Sequence, residues 1–206
     1  MLDARCWGNL PWLCLGAAII ELDGAHVGQW MVSRPLVLGP ALGWACGDIQ
    51  SGAFIGAVVE MLLASDLSVG SVVPLNGSVA TAIAVLLTGG EARVEEAVAI
   101  PAALVAGFAH ARIERGERIW RNGWIREIRQ DVQDGKEIAF GTLMARAIGG
   151  HLFFTWAFLC VCLLVLTPGL SWGWSAAPEP VREGMRWAWR AAPWLAMARL
   201  VRVFWK

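Results

Sequence analysis

Tyrosine is absent from this chain of 206 residues, and charge is scarce: Asp, Glu, Lys and Arg together make up 17%, where soluble domains carry about 25%. That shortage excludes a fully solvated surface. The 17 basic residues cancel the 17 acidic ones, so no basic excess points to nucleic acid. Histidine occurs three times (His26, His110, His151) and cysteine five times (Cys6, Cys14, Cys46, Cys160, Cys162). None of these has the spacing of a metal site or a CxxC pair, so no metal and no cofactor is expected. The three histidines lie apart, with no carboxylate or cysteine partner nearby in sequence, and read as ordinary interfacial or packed residues. Cys160 and Cys162 fall in an apolar run and read as small buried hydrophobes. Only Arg5 precedes the first apolar stretch, and no small-residue cleavage site follows, so a cleavable signal peptide is not expected.

What is present is apolar. Hydrophobic residues make up 57% of the chain and the mean hydropathy is +0.53. These values imply an all-α integral membrane protein. Thirteen tryptophans suit membrane interfaces, where the ring is buried and the N–H stays wet. A GC-rich genome explains the same excess equally well. The charges are segregated. Seven basic residues lie between Arg112 and Lys136, and six between Arg182 and Lys206.

Several apolar stretches are too short to cross a bilayer, which takes about 20 helical residues. Residues 7–20 and 52–64 are examples. The stretch 30–46 contains Pro35 and Pro40 and breaks at Gly47-Asp48. Residues 66–70 read as a turn, and Pro74-Leu75-Asn76-Gly77 is a turn signal inside the apolar stretch 71–87. Broken segments of this kind suggest re-entrant hairpins around a substrate site. Residues 97–111 flow into an alternating-sign stretch, 112–139, expected as a surface helix, either interfacial or simply solvated. Ala147–Leu166 reads as the clearest span, closed by Thr167-Pro168-Gly169. Arg182, Arg186 and Arg190, spaced i, i+4, i+8, give the tail one basic face and an interfacial amphipathic character, interrupted at Pro193. The expected organisation is a membrane core with re-entrant hairpins (1–111), a charged helix (112–139), and a transmembrane helix with a Trp/Arg-rich tail (140–206). Orientation is in conflict: both basic blocks should face the cytoplasm, yet one clean crossing separates them.

The block 34–77 carries glycine at 39, 43, 47, 52, 56, 70 and 77, and two carboxylates, Asp48 and Glu60. An intramembrane carboxylate needs a cavity or a partner. Two roles stand for each. Asp48 lines a solute pathway or caps the helix that follows. Glu60 faces that pathway as an acceptor, or pairs with Arg34 or a partner subunit. Asn76 at a broken helix offers an amide and free backbone groups. Gly47, Gly52 and Gly56 read as packing or bend residues.

Arg34-Pro35, Gly43, Gly47-Asp48, Gly52, Gly56, Glu60, Gly70 and Pro74, in that order, resemble the IIC component of the mannose/fructose/sorbose family of sugar phosphotransferase systems. The resemblance is strong over residues 30–90. It implies a sugar permease subunit in a bacterial cytoplasmic membrane, multi-pass and in an oligomeric complex with a IID subunit. Cytoplasmic IIA and IIB phosphocarriers would supply the phosphoryl group to a hexose or amino sugar, and this chain would accept none itself. The implied substrate residues are Gln29, Arg34, Asp48, Glu60 and Asn76, with Gly47, Gly52, Gly56, Gly70 and Pro74 as hinge or packing positions. The chain departs from the family pattern at Asn76, where Asp is usual, and at Met31, where Gln is common. It also has a Trp/Arg tail where further C-terminal membrane helices are usual. These departures raise two alternatives: a shortened, non-transporting regulatory or scaffold subunit, and a small solute channel that needs no partner.

Overall fold

The computed structural model describes residues 8–24, 26–64, 74–90, 93–135 and 138–205. The expected turn at 66–70, including Gly70, lies outside them. Every regular element described is helical, and the described residues contain no strand. The order is α1 (Leu10–Glu21), α2 (Pro35–Ala45), α3 (Ile49–Leu63), α4 (Gly77–Thr88), α5 (Glu96–Asn122), α6 (Trp124–Gln133), α7 (Phe140–Ala176) and α8 (Glu179–Phe204), with a 3-10 turn, Leu22–Gly24, after α1.

Helix α4 is the centre. Every residue from Val79 to Leu87 is buried, as an apolar helix without a polar face requires. Around it stand α1, α2, α3, α5 and α7. Helices α2 and α4 run parallel: the Ser78 hydroxyl donates to the Ser33 carbonyl at 2.6 Å, and Gly89 lies against Cys46 at the other end. Helix α5 returns antiparallel to α4, with the Asn76 N–H donating to the Gly107 carbonyl and that of Val94 to the Leu87 carbonyl.

Helices α2 and α3 form a tight antiparallel hairpin. Its turn is a Schellman cap: Gly47 adopts φ +86°, and the Asp48 N–H reaches the Gly43 carbonyl at 2.8 Å, which satisfies one of the last orphan carbonyls. A Cβ on Gly43 would meet the Gly52 Cα at 2.9 Å, and one on Gly39 would meet the Gly56 Cα at 2.9 Å. The glycine spacing of the sequence is therefore a backbone-to-backbone seam. Helices α2, α3 and α4 have 11, 15 and 12 residues, too short to cross about 30 Å of hydrocarbon at 1.5 Å per residue.

Among the described residues, two helices are long and apolar enough to cross a membrane: α7, and α5 running on into α6. The expected stop at Thr167-Pro168-Gly169 does not occur, and α7 continues through Pro168 to Ala176. Helix α8 likewise passes through Pro193. Proline removes one hydrogen bond, but apolar flanks give the backbone no better partner than the helix itself. The Trp172–Trp174 stretch is helical for the same reason. Helices α5 and α7 are antiparallel, since the Trp174 indole donates to Glu95 at 2.7 Å. Helix α8 is tied to that end by Arg186, whose guanidinium forks onto Glu95, and by the Trp189 indole on Glu96 at 2.7 Å. The outer faces stay apolar: Phe153, Val161, Leu164, Val165 and Trp172 of α7 are all exposed.

Candidate functional site

Two polar cavities lie at opposite ends of the α2–α3 hairpin. The larger, of about 500 Å³, opens where the N-termini of α2 and α4 meet the C-terminus of α3. Free N–H groups of broken helices gather at such a mouth. Gln29, Arg34, Glu60, Pro74 and Ser78 line it, with Asp23 at its rim. Arg34 Nη1 donates to Glu60 Oε1 at 2.6 Å, and the Leu36 N–H approaches Glu60 Oε2 at 3.5 Å. Glu60 thus has the Arg34 partner weighed for it, and the pair faces the cavity.

The wall opposite is a strained loop. Gly28, Gln29 and Met31 have φ of +82°, +55° and +64°, unusual for the two residues that carry a Cβ. Asp23 holds that loop. Its carboxylate accepts from the N–H groups of Trp30 at 2.7 Å, Val32 at 2.8 Å and Ser33 at 3.4 Å. The Trp30 N–H above all lowers the Asp23 pKa from its ordinary value, because hydrogen bonds to the charged form favour it. Strain of this kind collects at ligand clamps.

The smaller cavity, of about 370 Å³, lies at the α2–α3 turn and the C-terminus of α4, lined by Asp48, Ser51, Thr88 and Arg93. Asp48 caps α3, accepting from the Ser51 N–H at 3.0 Å, and this bond holds its pKa below the usual carboxylate range. Asp48 and Glu60, 12 residues apart, therefore line different cavities. Asn76 also points away from the larger one, which its neighbours Leu75 and Gly77 line. Its Oδ1 caps α4 through the Val79 N–H at 3.0 Å, and its Nδ2 donates to Glu21 Oε1 at 2.8 Å.

Behind Asn76 the fold assembles a buried polar cluster that the sequence does not announce. His151 on α7 has Glu21 Oε2 at 2.6 Å from Nε2 and Glu117 Oε2 at 2.8 Å from Nδ1. His26 stacks on it, with ring centroids 4.4 Å apart, and accepts from Arg121 at 2.9 Å. His110 reaches Asn76 Nδ2 at 3.4 Å and Thr155 Oγ1 at 3.2 Å. His110 is 0% exposed, His151 2%, Glu117 7% and Glu21 8%. The histidines isolated in sequence are one constellation in space, and His151 has two carboxylate partners. Glu114 and Glu117, expected on a surface helix, are buried because His151 and Arg118 neutralise them. One signal was available: His110, Glu114 and Glu117 are spaced i, i+4, i+7, one helical face.

A family model described as "PTS system sorbose-specific iic component" matches residues 10–206. Comparison with curated proteins and with solved structures finds no match.

Proposed function

Because the chain belongs to the family of sorbose-specific IIC components of phosphotransferase systems, and so to the membrane permease subunits of sugar transport, we propose that it is the sugar-translocating subunit and holds its substrate in the larger cavity. The observation that carries this reading is the Arg34–Glu60 pair facing Gln29 across a cavity of about 500 Å³, within the usual range of roughly 300–1,000 Å³ for small-molecule sites. A sugar offers hydroxyls that both donate and accept. The Glu60 carboxylate accepts them, the Arg34 guanidinium and Gln29 amide donate, and the N-termini of α2 and α4 add backbone N–H groups. Asn76 serves by capping the α4 wall, and Asp48 gives the second cavity its polar mouth. Gly47, Gly52 and Gly56 keep the hairpin closed, and Pro74 stands just before α4.

In this reading α2–α3 dips into the bilayer as a re-entrant hairpin, and α5 and α7 cross the bacterial cytoplasmic membrane. A IID subunit covers part of the apolar exterior. IIA and IIB carriers bring the phosphoryl group, which the sugar alone receives.

The test is calorimetry on the chain co-purified with its IID neighbour, titrated with L-sorbose, D-mannose, D-fructose and D-glucosamine. Binding of one of these, weakened about tenfold or more in Glu60→Gln, is expected from a charge-assisted hydrogen bond worth roughly 1.5–3 kcal/mol. A stable complex that binds none of them would instead mark a non-transporting scaffold.

A further inference from the structure

Both ring nitrogens of His151 lie within hydrogen-bond distance of a carboxylate oxygen. An ionised carboxylate only accepts, and a neutral imidazole has one N–H. Two carboxylates and a neutral ring would leave one nitrogen lone pair pressed against an oxygen lone pair. The triad Glu21–His151–Glu117 therefore holds one proton more than those three groups would otherwise carry. The neighbouring histidines do not supply it. His26 Nε2 accepts from Arg121, and His110 Nδ1 faces an Asn76 N–H, so each is a neutral ring with its proton on the other nitrogen.

We infer that Glu21, His151 and Glu117 form a buried binding site for a single proton, and that this proton holds the wall of the larger cavity in place through Asn76. The link is two hydrogen bonds on one carboxylate. Glu21 Oε2 faces His151 while its Oε1 accepts from Asn76. The same Asn76 amide group caps α4, whose first residues, Gly77 and Ser78, line the cavity. Loss of the proton leaves two carboxylates facing one N–H in a buried place. Glu117 already has one oxygen, Oε1, without a partner among the described residues, so it has no reserve donor. The charged and titratable groups turned to the triad from each packed element are few. His26 and Arg121 stack and bond on one side. His110 and the Glu114–Arg118 pair come from α5. Asp23 of the 3-10 turn faces the 30–33 backbone instead. Arg146, on α7 itself, is drawn over Trp120 and Trp124.

The sugar consequence rests on the permease reading, but the proton site does not, and the test separates them. The full chain, labelled with 15N-histidine and placed with its IID partner in lipid nanodiscs, is followed by NMR from neutral to alkaline pH. His151 is expected as a doubly protonated ring at neutral pH, with His26 and His110 neutral. As His151 loses its proton, the protection of the Val79 amide, measured against the intrinsic exchange rate at each pH, is expected to fall about tenfold, within the usual span of coupling between sites. L-sorbose or D-mannose affinity should fall by a like factor. In Glu117→Gln, which keeps a hydrogen-bonding group but removes a charge, the transition moves to lower pH; in His151→Gln it disappears. A neutral His151 ring at neutral pH, or Val79 exchange indifferent to its titration, would overturn the proposal. A doubly protonated ring and a responsive Val79 in a chain that binds no sugar would support the proton site and overturn the permease reading alone.

Discussion

At the scale of single residues, carboxylates organise the molecule, each through a different set of donors. Asp23 ties down a strained loop, Asp48 caps α3, Glu60 holds Arg34 over the cavity, and Glu95 anchors α8. Hydrogen bonds from backbone N–H groups depress the pKa of Asp23 and Asp48. A depressed carboxylate stabilises the fold above its unfolded value and loses that contribution as pH falls through its folded value. Protection of the Trp30 and Ser51 amides, relative to their intrinsic exchange rates, is therefore expected to hold above about pH 4 and to fall below it. Asp48→Ala should cost about 1 kcal/mol, the usual worth of an N-cap, in thermal unfolding in detergent, while leaving sugar affinity intact because Asp48 lines the other cavity. Asp23→Ala should free Gln29 and Met31 from positive φ and weaken sugar binding, as read by calorimetry.

At the scale of elements, the α2–α3 hairpin is the part most exposed to a single methyl group. Gly52→Ala places a Cβ 2.8 Å from the Gly43 Cα, where both sides are backbone and neither can turn away. A loss of roughly 1–3 kcal/mol, the usual cost of overpacking, is expected in thermal unfolding. Gly116→Ala is the control, since nothing lies within 4 Å of its added Cβ, and it should gain up to about 1 kcal/mol from helix propensity. The glycine periodicity was legible in the sequence, as were the short broken helices: the structure ends α1 to α4 within one residue of the apolar stretches, while α2 and α4 start five and six residues later than their stretches do. Pro168 and Pro193 misled, because the sequence shows the lost hydrogen bond but not the apolar flanks that keep the helix going.

At the scale of the whole molecule, the start of α5 and the end of α7 share one end, as the Trp174–Glu95 bond shows. If α5 and α7 both cross the membrane, single cysteines at Gly90 and Ser175, in a cysteine-free background, should react with an impermeant thiol reagent from the same side. A cysteine at Asp134 should react from the opposite side. Labelling of all three from one side would contradict the two crossings. Arg186→Ala should release α8 from Glu95 and open Arg190 to trypsin. The Arg186 guanidinium that depresses the Glu95 pKa ties α8 to the start of α5.

The sequence by itself determined the helical class, the family and the hairpin that shapes the larger cavity. Apolar length, glycine spacing and the ordered run from Arg34 to Pro74 are local properties of the chain. Which carboxylate meets which cavity was decided only by the tertiary structure. Asp48 and Glu60 lie at opposite ends of one hairpin, and Asn76 turns its amide inward to Glu21. The His151 triad belongs wholly to the tertiary level. Glu21 and His151 are 130 residues apart and Glu117 lies 34 from His151. Nothing local ties them until α1, α5 and α7 pack and burial forces each charge to find a partner.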